Sequence, residues 1–319
     1  MPSNRVSSDR ENLLPRIVHD AAEKALQGMG LNRNKSHNYA TLARRSLSAL
    51  RRKLAIAKNI QQPAWAKPNE ARVLLAPLLV STWSDSSDGD RKVLEQLSDR
   101  SYKEIQTHLV RWAKESDAPI RKVGDVWMIA SPEDAWRLIA GYLTDDDLKR
   151  LEDVAVEVLS ELNPALELPP EERMLAGIYG KVLSRSNWLR EGILEILALM
   201  ATLSPEISFS ANRSGEAVAR RIVWRLMEQV KDNPILWASL SDILSLLAEA
   251  APEILLEAIE AGLLGKHPVL VKLFQDKGSR SDLFSSSPHT GLLWALEALA
   301  LNHDYLSRAA LPLFCHSSQ

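Results

Sequence analysis

Residues 101–139, SYKEIQTHLVRWAKESDAPIRKVGDVWMIASPEDAWRLI, contain the pattern that decides the fold prediction. Ser101 and Glu104 have the spacing of a capping box, so a helix is expected to begin there. Its inward-facing apolar residues recur every three or four positions, at Tyr102, Ile105, Leu109 and Trp112. Its outward face carries Lys103, Gln106, Thr107, Val110 and Lys114. The stretch therefore begins with an amphipathic helix that buries one side and exposes the other.

A β-hairpin is expected directly after this helix. Residues 120–123 and 126–129 are both rich in β-prone side chains, and the Gly-Asp pair between them has the length of a two-residue turn. Ser131 followed by Pro132 then begins another helix.

The residues upstream add two more helices. Residues 70–82 predict an apolar helix broken by Pro77, the run SDSSDGD at 84–90 predicts a loop, and residues 90–97 predict a second short helix. Three helices followed by a hairpin, in this order, predict a winged-helix domain over residues 70–144.

The remainder, residues 145–319, predicts a solenoid-like array of α-helices. Apolar segments of helical period alternate with Asn-Pro, Ala-Pro and His-Pro turns. Helices are expected over 146–161, 170–183, 188–203, 215–230, 234–250, 252–263 and 291–301, and a loop over 276–290. The fold class that follows is mainly α, with a helical lid-like segment, the winged helix and the array.

The chain before the winged helix divides into two parts. Residues 1–15 are polar, lack periodicity and predict a disordered lead-in. Residues 16–69 predict a basic helical segment, beginning with a short helix over 17–27. Between 39 and 58 the spacing predicts one further helix, with Leu47, Leu50 and Leu54 in one sector and the cations in another.

This basic segment is the sharpest compositional feature of the chain. From Leu31 to Asn69 there is no Asp or Glu, whereas Lys and Arg occur nine times. Because nine unneutralised cations repel one another, either a phosphate-bearing ligand or an acidic face elsewhere in the protein is expected to meet them. The expected contacts are Arg44, Arg45, Arg51, Arg52, Lys53 and Lys58.

Charge is unevenly spread along the whole chain. Residues 1–144 hold 23 Lys and Arg against 16 Asp and Glu, and residues 145–319 hold 16 against 25, within a formal net charge of −2. The basic part is expected to meet phosphates or an acidic partner. An alternative is that the basic and acidic parts of the chain complement each other.

The motifs of several chemistries are missing from the sequence. The lone Cys315 excludes an internal disulfide and a cysteine-based zinc site, and a reducing, cytoplasmic location without a membrane segment is expected. No phosphate loop, zinc-protease motif or nucleophile elbow occurs, and the seven histidines are scattered without metal-ligand spacing. Residues 145–147, three aspartates, predict a helix start and not a metal site. Neither a cofactor nor a metal nor catalysis is expected.

The order of segments resembles the part that follows the nucleotide-binding core in large bacterial STAND-type P-loop NTPases, many of which are linked to antiviral defence. Four stretches carry the resemblance: ARRSLSALRRKLA, PAWAKPNEARVLLAPLLVSTWSDSSDGDRKVLEQL, VGDVWMIASPEDAWRLI and PHTGLLWALEALALNHDYLSRAALPL. Together they extend over about residues 38–315.

The resemblance implies a helical lid, a winged helix that packs against a nucleotide site in the resting state, and helical repeats that sense a ligand. Arg44, Arg45, Arg51 and Arg52 would lie in the lid and approach a nucleotide phosphate. This chain departs from the family because it has neither the phosphate loop nor the acidic strand that holds magnesium. The resemblance therefore implies the regulatory portion without the NTPase core.

Three functions stay open from the sequence. The first is a non-catalytic regulatory protein that docks onto a partner protein, such as an NTPase or an effector. The second is a winged-helix nucleic-acid-binding protein, with possible DNA contacts at Lys103, Gln106, Thr107, Lys114, Arg121 and Lys122, although most positive charge lies upstream at 33–67. The third is an enzyme with an unfamiliar site.

Overall fold

A computed structural model describes residues 19–203, 209, 213–263, 268–275 and 288–315. The mainly α fold class is confirmed, with 71% helix and 4% strand. Within these ranges, no helix combines the length and the apolarity that crossing a bilayer requires. The predicted lead-in at 1–15 lies outside the described residues.

The N-terminal segment consists of short helices: α1 over 19–28, α2 Arg33–Arg45, α3 Leu47–Leu54 and α4 Lys58–Gln61. The prediction of one helix between 39 and 58 is wrong, because Ser46 adopts an extended conformation with φ −154° and ends α2. Its hydroxyl accepts a hydrogen bond from the Ala49 amide at 3.0 Å and so caps α3. The Ser46 Oγ also lies 2.7 Å from the Ser131 Oγ, which ties the break to the segment ahead of a later helix.

The helices and the hairpin predicted for the middle of the chain are confirmed. Its elements are α5 Pro68–Val80, β1 Thr82–Ser84, α6 Asp88–Ser98, α7 Tyr102–Trp112, β2 Ile120–Val123, β3 Val126–Ile129 and α8 Pro132–Ile139. The predicted break at Pro77 is wrong, since α5 continues through it and ends at Val80. Ser81, with a positive φ of 56°, turns the chain out of this helix.

Strand β1 is the element that the sequence analysis did not predict. It pairs antiparallel with β3, and the sheet order is β1-β3-β2. Trp83 is fully buried and stacks on Trp127, its cross-strand partner, at 6.4 Å between ring centroids. The Trp83 indole N–H donates to the Tyr102 hydroxyl at 3.0 Å, which fastens the sheet to α7.

Helices continue to the end of the described chain. They are α9 Asp145–Leu159, α10 Asn187–Leu203, α11 Gly215–Val230, α12 Pro234–Ser239, α13 Leu244–Ala250, α14 Pro252–Leu263, α15 Val271–Gln275, α16 Pro288–Ala300 and α17 Leu306–Cys315. Five of the predicted helices are confirmed within a few residues, those at 146–161, 188–203, 215–230, 252–263 and 291–301. The repeat character of this array stays a prediction.

Three predictions in this part are wrong in detail. A 3₁₀ turn at Ser241–Ile243 divides the helix expected over 234–250. Residues 170–183 form a 3₁₀ helix at Pro170–Leu175 followed by turns, and no α-helix. The loop was expected over 276–290. Residues 288–290 belong to α16 instead, and residues 276–287 lie outside the described residues.

One continuous hydrophobic core extends from Trp65 to Ala309 and crosses the predicted boundary at 144. Helix α10 lies near its centre and packs on α5, β1, α11 and α13. At Gly192 this helix touches the chain between α5 and β1, where an added Cβ would lie 2.1 Å from the Val80 carbonyl oxygen. The predicted domain boundaries themselves stay a prediction.

Candidate interaction surfaces

Arg52 is buried, with 8% of its surface exposed, and its guanidinium is surrounded by acceptors. Its Nε donates to Asp134 Oδ2 at 2.8 Å, and Nη1 and Nη2 donate to the two carboxylate oxygens of Asp117 at 3.0 and 3.2 Å. Nη1 also donates to the Ile60 carbonyl at 2.7 Å, and the Trp65 ring centroid lies 5.3 Å from the guanidinium carbon. Arg52 is thus an internal anchor that joins α3 to α8.

The prediction that Arg52 faces outward toward a phosphate or a partner is therefore wrong. An acidic face does meet it, but the two carboxylates belong to residues 70–144 and not to the acidic part at 145–319. The predicted apolar sector is wrong as well, since 72% of Leu47 and 39% of Leu54 are exposed. The break at Ser46 gives α3 its own register, and α3 buries Ala49 and Arg52 instead.

The ion pairs keep the Arg52 guanidinium charged. Burial lowers the pKa of Arg52, but the hydrogen bonds to Asp117 and Asp134 outweigh that effect and raise it. Burial raises the pKa of the Asp134 carboxyl, and the ion pair with Arg52 offsets part of that rise. Loss of either partner would leave a buried charge uncompensated.

The other predicted contacts of the basic segment are on the surface. Lys53 and Lys58 are exposed, and Arg51 is exposed with one guanidinium nitrogen 3.6 Å from Asp117. Arg44 and Arg45 belong to α2, but their side chains lie outside the described part of the structure.

Five exposed cations of this segment form no ion pair with another described residue: Arg33, Lys35, Lys53, Lys58 and Lys67. A cleft of about 390 Å³ lies beside the anchor, lined by Ala49, Arg52, Lys53, Gln61, Asp134, Arg137 and Leu138. We name the five exposed cations the basic surface. Its positive charge attracts phosphates and carboxylates, and the buried Arg52 takes no part in that attraction.

The face formed by α7 and the hairpin is different, because an aspartate occupies it. Asp85 accepts hydrogen bonds from the Tyr102 hydroxyl at 2.5 Å and the Gln106 amide at 3.2 Å, and it pairs with the Lys122 ammonium. Burial opposes ionisation of Asp85, but the contacts with Lys122 and Tyr102 outweigh it and lower the pKa of the carboxyl. At neutral pH Asp85 is therefore ionised and forms an ion pair with Lys122 on this face.

Four of the six possible DNA contacts already donate hydrogen bonds within the protein, two of them to Asp85. Gln106 and Lys122 both contact Asp85, and Gln106 lines a cleft together with Asp85 and Lys103. Thr107 donates to the Lys103 carbonyl of its own helix, and Arg121 donates to the Ala130 carbonyl at 3.1 Å. Lys103, Thr107, Lys114, Arg121 and Lys122 are exposed, and Gln106 is half-buried.

The sequence analysis did not single out Asp85, because no feature of the neighbouring sequence distinguishes it from the other aspartates of its loop. It lies in the run SDSSDGD beside Asp88 and Asp90, and only the pairing of β1 with β3 brings it against the hairpin. The backbone amide of Asp85 donates to the Asp125 carbonyl at 2.6 Å, next to the turn of the hairpin.

An apolar surface at residues 174–182 was also missed, because this stretch predicted part of a helix. The segment leaves Met174 67%, Ile178 81%, Tyr179 52% and Val182 60% exposed, whereas a helix would have buried one side of it. We name it the apolar surface. Lys181 pairs with Glu167 at 2.5 Å at its edge.

The fold also brings together histidines that are distant in sequence. His19 and Glu23 on α1 and His37 on α2 each present one ligand atom within 4.8 Å of the others. The sequence analysis expected no metal site because the histidines lack metal-ligand spacing, and His37 meets His19 and Glu23 only when the two helices pack.

Comparison of the chain with models of protein families, with curated proteins and with solved structures found no match.

Proposed function

We propose that this chain is a non-catalytic regulatory protein of the bacterial cytoplasm that acts by docking onto another protein through the apolar surface. The observation that carries the proposal is the exposure of Met174, Ile178, Tyr179 and Val182 within nine residues. Single exposed apolar residues are ordinary in soluble proteins, whereas contiguous ones mark interaction sites.

The residues around the apolar surface indicate what kind of partner surface would fit it. Glu171 and Glu172 are exposed immediately before it. A complementary partner would offer an apolar groove bordered by Lys or Arg, because charge of opposite sign at the rim orients the encounter. The resemblance to the regulatory part of STAND-type NTPases suggests that this partner is an NTPase or an effector of antiviral defence.

Co-purification from the native host tests this proposal. Tagged wild type is compared with a variant carrying Ile178→Glu and Val182→Glu, because a charge at the centre of an apolar interface opposes docking. Leu301→Glu is the matched control, since Leu301 is 85% exposed and belongs to α16's C-terminal turn. We expect a partner with wild type and the control but not with the double variant.

Two results would contradict docking at this surface. One is recovery of the same partner by the double variant at the wild-type level. The other is a reconstituted complex in which hydrogen exchange of residues 174–182 is unchanged, because a docked segment must gain protection.

A second candidate is nucleic-acid binding by a winged-helix protein, and the basic surface favours it. The order α5-β1-α6-α7-β2-β3 and the antiparallel sheet support assignment of this unit as a winged helix. Asp85 disfavours insertion of α7 into a groove, because it already binds Gln106 and Lys122, and a DNA contact would have to compete for both side chains. Contacts from Lys53 and Lys58 would instead position the chain along a phosphate backbone.

Titration of duplex and single-stranded DNA across a salt series tests this candidate. If about five cations meet phosphates, the slope of log affinity against log salt is about −4 to −5. Lys53→Glu with Lys58→Glu should abolish binding, and Lys103→Glu with Lys114→Glu on α7 is the matched control. The candidate is wrong if wild type does not bind at low salt. If only the α7 variant loses binding, DNA contacts α7 and not the basic surface.

A further inference from the structure

Helices α1 and α2 form an antiparallel pair that concentrates metal-ligating side chains. Antiparallel packing follows from two contacts: His37 Nδ1 lies 3.1 Å from Glu23 Oε2, and His19 Nε2 lies 3.3 Å from Thr41 Oγ1. Gly30, with φ 89°, turns the chain between the helices. The side chain of Asn32 then caps α2 by accepting from the Lys35 amide at 2.9 Å.

His19 and Glu23 share one face of α1, because residues four apart in a helix project in the same direction. His37 faces them from α2, and the two imidazole rings are 5.1 Å apart between centroids at an interplanar angle of 72°. The donor set is thus two imidazole nitrogens and one carboxylate oxygen, from two helices.

The separations suit a small transition-metal ion. Bonds of about 2.0–2.2 Å from Zn²⁺ to nitrogen and oxygen place neighbouring ligand atoms of a tetrahedral site roughly 3.3 Å apart. The three ligand atoms already lie within 4.8 Å of one another. His37 is the most exposed of the three ligands, and rotation about its χ angles can shorten the longer separations.

Neighbouring groups orient the imidazole of His19 whichever of its two nitrogens binds the metal ion. His19 Nε2 faces the Thr41 hydroxyl, and its Nδ1 lies 3.5 Å from Asp20 Oδ1. A second hydrogen-bond partner of this kind orients a ligating histidine and raises its basicity. The side chains of His19 and Glu23 are 15% and 18% exposed, whereas His37 is 60% exposed and leaves an open edge for the ion to enter.

We infer that His19, Glu23 and His37 form a binding site for a divalent transition metal, with Zn²⁺ as the best match. Two imidazoles exclude Mg²⁺ and Ca²⁺, which require oxygen ligands. Three protein ligands leave a fourth position for water. The bound ion would join α1 to α2 and would fix the helix that carries Arg33 and Lys35 of the basic surface.

Zinc titration of the full chain, without a histidine tag and after treatment with EDTA, tests the site. Isothermal calorimetry should give one equivalent of Zn²⁺ for wild type. His37→Ala and the isosteric Glu23→Gln should each lower the affinity by more than about tenfold, since even outer-shell changes at such sites reach this size. His303→Ala is the matched control, because His303 is 99% exposed and distant in sequence from the cluster.

Spectroscopy separates loss of a ligand from loss of the fold. Bound Co²⁺ should give visible d–d bands for wild type and His303→Ala, and His37→Ala should lose them while its circular dichroism remains that of wild type. The proposal is overturned if wild type takes up no Zn²⁺. It is equally overturned if His37→Ala and Glu23→Gln bind as tightly as wild type, or if excess Mg²⁺ displaces Zn²⁺.

Discussion

Arg51 and Arg52 are adjacent in the sequence but have opposite roles. Successive residues of a helix point about 100° apart, so the orientation of α3 decides which arginine is buried. The sequence established that this stretch is helical and basic. It could not establish the orientation, because Ser46 begins a new helix and Asp117 and Asp134 lie 65 and 82 positions away from Arg52.

Replacement of Arg52 by methionine should destabilise the protein. Met fills similar volume but leaves the Asp134 carboxylate buried without its partner, and breaking such pairs costs about 3–5 kcal/mol. Urea unfolding at pH 7 measures the loss. Lys53→Met, at the exposed neighbouring position, should remain within about 0.5 kcal/mol of wild type.

The penalty of Arg52→Met should also depend on pH. Burial raises the pKa of Asp134, so its contribution to stability is present at low pH and is lost as pH rises through the folded pKa. Without Arg52 that pKa should rise further. The variant should therefore recover part of its deficit between pH 7 and pH 5, and an equal deficit at both values would contradict this account.

At the scale of elements, the start of α9 shows how a locally predictable feature gains a distant partner. Thr144 and Asp147 form a capping box, as the acidic first turn indicated. Arg72 of α5 adds a two-pronged ion pair to Asp147 at 2.6 and 3.0 Å, which the sequence did not reveal. Burial opposes ionisation of Asp147, but the contacts with Arg72, Thr144 and Arg150 lower its pKa to about 2.

Asp147→Asn should remove about 2 kcal/mol of stability at pH 7, because a depressed pKa of this size stabilises the folded state by about 1.4 kcal/mol per unit. The stabilisation by a carboxyl of low pKa is present above its unfolded pKa and is lost as pH falls. Wild type and variant should therefore converge between about pH 4 and pH 2. Asp146→Asn, at the exposed neighbouring position, is the matched control and should cost far less stability at pH 7.

The elements that sequence reasoning missed have a common cause. Strand β1 has three residues, too few for a periodic pattern, and exists through its pairing with β3. The break between α12 and α13 accommodates α16, because a Cβ at Gly291 would lie 1.9 Å from the Ser241 carbonyl oxygen. Both features depend on contacts between distant segments, whereas the confirmed helices follow from local periodicity and capping.

At the scale of the whole molecule, the first and second parts of the chain are joined by packing more than by charge. Charge asymmetry suggested that a basic part docks on an acidic part. Among the described ion pairs, the one between Arg72 and Asp147 joins the part before residue 144 to the part after it. Glu152 instead pairs with Arg213, Arg221 and Arg225, which all belong to the acidic part. The apolar core and the close approach at Gly192 make the main connection.

Gly192→Ala should therefore destabilise the entire fold. The added methyl would overlap the backbone at Val80 and Thr82, and overpacking of this kind costs about 1–3 kcal/mol or more. Thermal unfolding of the intact chain measures the change. Gly177→Ala is the matched control, because nothing lies within 4 Å of its Cβ position, and equal stability of the two variants would contradict the close approach.

The anchor at Arg52 should make the binding of a ligand to the basic surface faster and lower its entropic cost. It holds α3 against α8, so that Lys53 of the basic surface is presented on an ordered backbone before any ligand arrives. A ligand of the basic surface would then gain electrostatic attraction without the conformational entropy loss of folding a disordered segment. We expect association rates that are fast and sensitive to ionic strength, and a binding heat capacity close to zero.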